Sequence, residues 1–221
     1  MTPHQPAVAL FDLDGTLTRR DTLLPFLCGY LRRHPRRIGR LWRLPLALAA
    51  YLVRDRDRGK LKSRMIRMVM QGDSRSAIDA WCDSFVCALK GHGSLRAGAL
   101  AVLEAHRVAG DHLVLLSASP DLYVPAIGRL LGFEGTLCTE MQWRGDRLDG
   151  ALKTANRRGA EKTRCLAQLR GQYLNLLVIA YGNSISDVDH LRAADGALLV
   201  NGSAAARRLA AKWAIPTANW D

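Results

Sequence analysis

Two aspartates stand two residues apart where an apolar run ends, in Phe11-Asp12-Leu13-Asp14-Gly15-Thr16. One carboxylate of such a pair can act as a nucleophile or metal ligand and the other as an acid/base, while the glycine permits a tight turn. A second apolar run ends in Leu116-Ser117-Ala118-Ser119-Pro120. Ser119 before Pro120 reads as a helix N-cap with proline at the first helical position, which leaves Ser117 as the hydroxyl open to a phosphate. Lys162, in Gly159-Ala160-Glu161-Lys162, opens a helical stretch where an ammonium and a helix N-terminus can face one anion; Lys153 is the competing lysine. Finally, Gly182-Asn183-Ser184-Ile185-Ser186-Asp187 offers an amide oxygen and a carboxylate, donors suited to a hard cation. Asp189 is expected to point into solvent.

These residues need a scaffold that brings them to one place. Residues 7–11, 112–117, 174–180 and 197–200 are short apolar runs of the kind that form strands buried on both faces. Helical periodicity fills 96–108, 120–131, 160–170, 186–194 and 204–213. Strands alternating with helices predict an α/β fold, a doubly wound parallel sheet of Rossmann-like type, with its site beyond the carboxyl ends of the strands. Residues 18–92 break the alternation. Leu23/Leu27/Leu31, Leu61/Met65/Met68 and Ile78/Trp81/Phe85 recur at helical spacing, which predicts an all-helical insertion with these positions as its own core. The expected organisation is a core of 1–17 and 93–221 with a helical domain of 18–92. A β-hairpin is expected in 139–152, turning at Gly145-Asp146.

In order along the chain, the four motifs resemble those of the haloacid dehalogenase superfamily of aspartyl-phosphate phosphatases, over nearly the whole sequence. The resemblance implies Asp12 as nucleophile, Asp14 as acid and then base, and Ser117 and Lys162 as holders of the phosphoryl oxygens. It implies Mg²⁺ on the Asp12 carboxylate, the Asp14 carbonyl and the Asn183/Asp187 pair. Thr16, Ala118 and Asp21 complete the implied substrate contacts. The all-helical insertion is similar to the cap of the phosphoserine-phosphatase-like subgroup. Two departures count against serine phosphate as substrate: Ser117-Ala118-Ser119-Pro120 replaces a Ser-Gly-Gly, and Asp21 stands where those enzymes place Glu. Asn183 stands where many relatives have Asp, which supplies the same oxygen without the charge and implies weaker Mg²⁺ binding.

Charge narrows the partner. The 221 residues carry 32 basic and 20 acidic side chains, a net of +12, and 15 basic against three acidic ones fall between Arg19 and Arg67. All of the excess therefore lies in the insertion, which implies an anionic partner met there. Arginines interleaved with Tyr30, Trp42, Leu44 and Tyr51 suit an anionic membrane surface, and this stretch looks like the same region of bacterial phosphatidylglycerophosphatases. The expected substrate is a phosphorylated small molecule or a lipid headgroup phosphate. The alternatives are a soluble metabolite phosphatase, for instance of histidinol phosphate, and a non-catalytic binder of anionic membrane or nucleic acid, nucleic acid being the less favoured anion. No apolar run reaches the roughly 20 residues of a spanning helix, and the N-terminus lacks secretory features. A cytoplasmic protein, peripheral on the inner face of the membrane, is expected. Five cysteines without a C-x-x-C pair predict buried thiols rather than disulfides or zinc.

Overall fold

The computed structural model describes residues 5–91 and 93–221, so that residues 1–4, read above for a signal, and His92, at the expected end of the insertion, lie outside it. The chain begins with β1 (Val8–Phe11), then α1 (Leu23–Arg33), a 3-10 segment Pro35–Arg43, α2 (Leu44–Ala50) and a π turn Tyr51–Asp55. It continues through α3 (Arg58–Met70), α4 (Arg75–Gly91) and α5 (Ala97–Ala109) to β2 (His112–Pro120), α6 (Val124–Leu130), β3 (Gly135–Thr139), β4 (Met141–Arg144) and β5 (Arg147–Leu152). The remainder is α7 (Ala160–Gln172), β6 (Val178–Gly182), α8 (Val188–Ala193) after a 3-10 turn, β7 (Gly196–Val200), α9 (Ala204–Ala211) and β8 (Thr217–Ala218).

Six strands form one parallel sheet in the order β3-β2-β1-β6-β7-β8. Strand alternation divides β1 between two cores. Val8 and Leu10 face Cys165, Leu166 and Leu169 of α7, whereas Ala9 and Phe11 face the side of α5 and α6. Burial on both faces explains why β1 is apolar throughout. The same layer as Phe11 continues into the helical cap through Phe26, whose ring lies 4.5 Å from Tyr123, and on to Ile66, Met70 and Ile78. The hairpin β4–β5 props the cap: Ser63 Oγ donates to the Gly150 carbonyl at 2.8 Å, and Arg67 pairs with Asp149 at 2.7 Å. Asp57 caps α3 by accepting the N–H groups of Gly59 and Lys60, worth about 1 kcal/mol. Among the described residues, no helix is long and apolar enough to cross a membrane.

Four expectations are corrected. The second strand runs on to Pro120, so Ser119 caps no helix, and α6 starts only at Val124. A proline is tolerated there because the pairing with β3 shifts register between Leu116 and Pro120. The third run becomes a strand only from Val178, since Leu174 and Leu177 are exposed. Of the Leu61/Met65/Met68 stripe none is fully buried, and Leu61 and Met65 line the cavity described below; Ile66, Val69 and Met70 pack inward instead. Cys28 and Cys87 are exposed, although all five cysteines are free. Strands β3 and β8 had no sequence signal: β3 is half-buried along most of its length and β8 is two residues long.

Candidate active site

The central position of β1 determines what surrounds its end. Phe11 pairs with Leu115 of β2 on one side and with Tyr181 of β6 on the other, so the loop beginning at Asp12 lies between the ends of those strands. Asp12 is 7% exposed; its Oδ1 accepts from Lys162 Nζ at 2.6 Å and its Oδ2 from Thr16 Oγ1 at 3.1 Å. Lys162 reaches in from the first turn of α7 and also donates to Asp187 Oδ1 at 2.7 Å. Asp187 is fixed through its other oxygen by the N–H groups of Asn183 and Ser184 and by Ser184 Oγ. Gly182 allows this approach, because a Cβ there would lie 2.7 Å from Asp187 Cβ.

Two carboxylates share one ammonium, and the titration of the three groups follows from that. Burial by itself would lower Lys162, but Asp12 and Asp187 outweigh it and hold the ammonium above its ordinary value. Burial would raise Asp187, yet Lys162 and then His190 hold it well below the usual carboxylate range. The remaining negative charge has no cation of its own: burial, opposed by Lys162 and aided by Asp187, pushes Asp12 up to about 7. A buried carboxylate short of one cation, in a cavity also lined by Asp14, Asn183 and Asp187, fits a hard divalent ion. Among the described residues no three His, Cys, Asp or Glu side chains converge, so the donor set would be these two carboxylates with amide and backbone oxygens. Asn183 packs over Gly15, whose φ of +85° and lack of Cβ are both required; a Cβ there would lie 2.0 Å from Asn183 Nδ2.

Asp14 sits at the same mouth. Its Oδ1 accepts the backbone N–H and the hydroxyl of Thr22, each at 2.7 Å, and its Oδ2 accepts Ser119 Oγ at 2.6 Å. Burial raises its pKa, opposed by the hydrogen bonds from Ser119 and Thr22. Thr22, at the start of the cap, and Ser119, on the core sheet, are the residues that sequence reasoning missed here. The available signal was period two: in a strand running to Pro120, Ser117 and Ser119 share a face.

The other expected residues are placed as follows. Ser117 is fully buried; its Oγ accepts the Ser119 N–H at 3.0 Å, and its own proton has no acceptor among the described residues. Thr16 is fully buried against Asp12. The Ala118 carbonyl accepts from Thr139 Oγ1 and from Lys62 Nζ of the cap. Asp21 accepts the N–H groups of Leu23 and Leu24 at the start of α1, on the cavity rim. Lys153 is exposed and paired with Glu140, while Asp189 is exposed. The cavity of about 740 Å³ holds Asp12, Asp14 and Lys162 at its base and Leu23, Leu61 and Met65 on its cap side.

Comparison with known proteins agrees with this arrangement. The chain matches the family model of haloacid dehalogenase-like hydrolases over residues 9–192. It is 36% identical over 197 residues to Protein CicA of Caulobacter vibrioides, covering 87% of this chain and 85% of that one. A solved structure of a protein of unknown function from Bordetella pertussis Tohama I superposes with a TM-score of 0.83 at 22% identity, covering 98% of this chain and 100% of the other. The unliganded structure of a probable phosphoserine phosphatase from Vibrio cholerae gives a TM-score of 0.71 at 11% identity, with 99% and 62% covered. At such identities the structural likenesses speak for the shared fold.

Proposed function

Since the chain belongs to the haloacid dehalogenase-like hydrolase family, we propose that it is a Mg²⁺-dependent phosphomonoesterase working through an aspartyl-phosphate on Asp12. The observation that carries this reading is the Asp12 carboxylate, buried on Lys162 at 2.6 Å, with the Asp14 carboxyl held at the same mouth by Ser119 and Thr22.

A carboxylate oxygen of Asp12 attacks phosphorus, and the bond from phosphorus to the alcohol oxygen breaks. Asp14 gives its proton to that oxygen, which leaves as the alcohol. Asp14, now ionised, takes a proton from water as the water attacks phosphorus, releasing inorganic phosphate and restoring Asp12. Lys162 and the free proton of Ser117 serve the equatorial phosphoryl oxygens, and Thr16 keeps the Asp12 carboxylate in its plane. Bound Mg²⁺ would be held by Asp12, the Asp14 carbonyl, Asn183 and Asp187, and it supplies neutralisation of the phosphoryl charge.

In this reading 1–17 and 93–221 do the chemistry, while 18–92 is a cap that selects the leaving group. The cap's outer face supports a phosphomonoester on a lipid headgroup, with the protein peripheral on an anionic membrane. Ile38, Trp42, Leu46, Leu48, Leu52 and Val53 are each exposed in this part of the chain, as are Arg32, Arg36, Arg40 and Arg43. The primary test is phosphate release from an aryl phosphate with added Mg²⁺. Turnover is expected in the wild type and none in Asp12→Asn; steady turnover in that variant would refute the nucleophile.

A further inference from the structure

The active-site cavity carries cations that phosphoryl transfer does not use. Lys162 is already committed to Asp12 and Asp187. Lys62, Arg158 and Arg58 face the same cavity, and among the described residues none of them has a carboxylate within ion-pair distance. The site's other carboxylates are occupied by neutral donors, Asp14 by Thr22 and Ser119 and Asp21 by the N–H groups that open α1.

Lys62 is the most telling of the three. It is 9% exposed, and its ammonium rests on two neutral oxygens, the Ala118 carbonyl and Asn156 Oδ1, the latter at 2.7 Å. An ammonium has three donors, so one is left over. A buried cation with no carboxylate in ion-pair contact is costly, and an anion placed against its free donor would complete it. Burial pushes this lysine down to about 8 against the opposing charges of Asp14 and Asp21, which lie beyond ion-pair contact, with Arg158 adding to the lowering. Arg158 is half-buried and its guanidinium has no hydrogen-bond partner among the described residues; Arg58 stands at the rim beside it. Position matters as much as charge. Ala118 is the neighbour of Ser119, which holds Asp14, so Lys62 lies on the side of the site where the leaving alcohol takes its proton.

We propose that Lys62 and Arg158, with Arg58 at the rim, form a second anion subsite, so that the preferred substrate is a phosphomonoester whose alcohol portion bears a further anionic group. A phosphodiester or a carboxylate would supply the same chemistry. The inference rests on the phosphatase reading and adds a charge requirement to it.

Three soluble monoesters test it: glycerol 3-phosphate, with a neutral alcohol portion; 3-phosphoglycerate, with a carboxylate; and glycerophosphoglycerol phosphate, with a phosphodiester. The wild type should show kcat/KM at least tenfold higher for one or both of the last two, and which one rises identifies the group. Lys62→Met and Arg158→Met should each shrink that preference about tenfold, chiefly through KM, and Lys62→Arg should keep most of it. Equal kcat/KM on all three esters, or a preference that survives both Met variants, overturns the subsite. Absence of phosphate release from any ester would instead defeat the phosphatase reading. In that case calorimetric titration of Asp12→Asn with the same esters decides the subsite: tighter binding of the second-anion esters, lost in Asp12→Asn/Lys62→Met, supports it, and equal affinities reject it.

Discussion

Ser119 Oγ donates a 2.6 Å hydrogen bond to Asp14 Oδ2, tying the end of β2 to the second carboxylate of the site. Thr22 holds the other oxygen from the cap side, so the orientation of Asp14 depends on core and cap together.

Ser119→Ala should therefore lower kcat far more than it raises KM. A hydrogen bond to an ionisable partner is worth about 1.5–3 kcal/mol, so the loss is expected at about 10- to 100-fold. Ser119→Thr, which keeps the hydroxyl, should recover most of it. Steady-state kinetics on an aryl phosphate checks this, with melting temperature as the control. A fall in melting temperature with kcat unchanged would make the bond structural only.

Asn183→Asp should reduce the Mg²⁺ concentration for half-maximal activity, by about tenfold, because a charged oxygen replaces a neutral one next to a site already rich in oxygen donors. Gly15→Ala should act in the opposite direction, since its Cβ would displace the Asn183 amide from a 2.0 Å approach. Metal titrations of activity give both numbers. An unchanged requirement in Asn183→Asp would place the side chain outside the metal's ligands and leave Asp187 as the main donor there.

The sequence carried the Asp12 end of β1 well, because a strand buried on both faces must be apolar and its sudden stop at Asp12 is conspicuous. Lys162 and Asp187 were legible for the same reason, each lying just past an apolar run or at the start of a periodic one. Ser119 was not. Its proline neighbour imitates a helix start, and only the register shift against β3 lets a strand continue through Pro120. Leu61 and Met65 were hidden by a different ambiguity: helical spacing shows which residues share a face, not whether that face meets a core or a cavity. Lys62 could not be singled out among the 15 basic residues of its segment, since its burial depends on Ala118 and Asn156, far away in sequence.

Asp121 gives a pH-dependent test of the scaffold. Burial pushes its carboxyl up to about 6, even though it accepts the Met141 N–H at 3.1 Å. Between the unfolded value near 3.8 and the folded value near 6, the native state holds more protons than the unfolded one, so stability falls as pH rises through that window. Asp121→Asn keeps an acceptor for Met141 and removes the charge. The variant should melt no higher than wild type at pH 3.5 and higher at pH 7, with the gap opening between those values. A gap independent of pH would show that the Asp121 carboxyl titrates alike in both states.

Membrane docking should depend on arginines that the fold leaves free, and the structure separates these from arginines it uses. Arg37 donates to the Val69 carbonyl at 2.8 Å and pairs with Asp73, while Arg33 reaches Ser84 Oγ and lies 4.9 Å over the Trp81 ring. Replacing either would disturb the cap. Arg32, Arg36, Arg40 and Arg43 are exposed and have no carboxylate partner among the described residues, with Arg43 stacked on Trp42. Each basic side chain near an anionic surface contributes about 1 kcal/mol. Changing these four to Gln should thus cost about 4 kcal/mol, close to three orders of magnitude in vesicle affinity. Hydrolysis of a soluble aryl phosphate gives the second readout, and its loss should be small beside the loss of binding. Raising salt to about 1 M, where the screening length is about 3 Å, should release the wild type from vesicles containing phosphatidylglycerol. Trp42→Ala should weaken binding at every salt concentration, because it removes apolar contact rather than charge. If the wild type fails to sediment with such vesicles at low salt, the outer face of the cap is a solvated surface, and a soluble phosphorylated metabolite takes the place of the lipid.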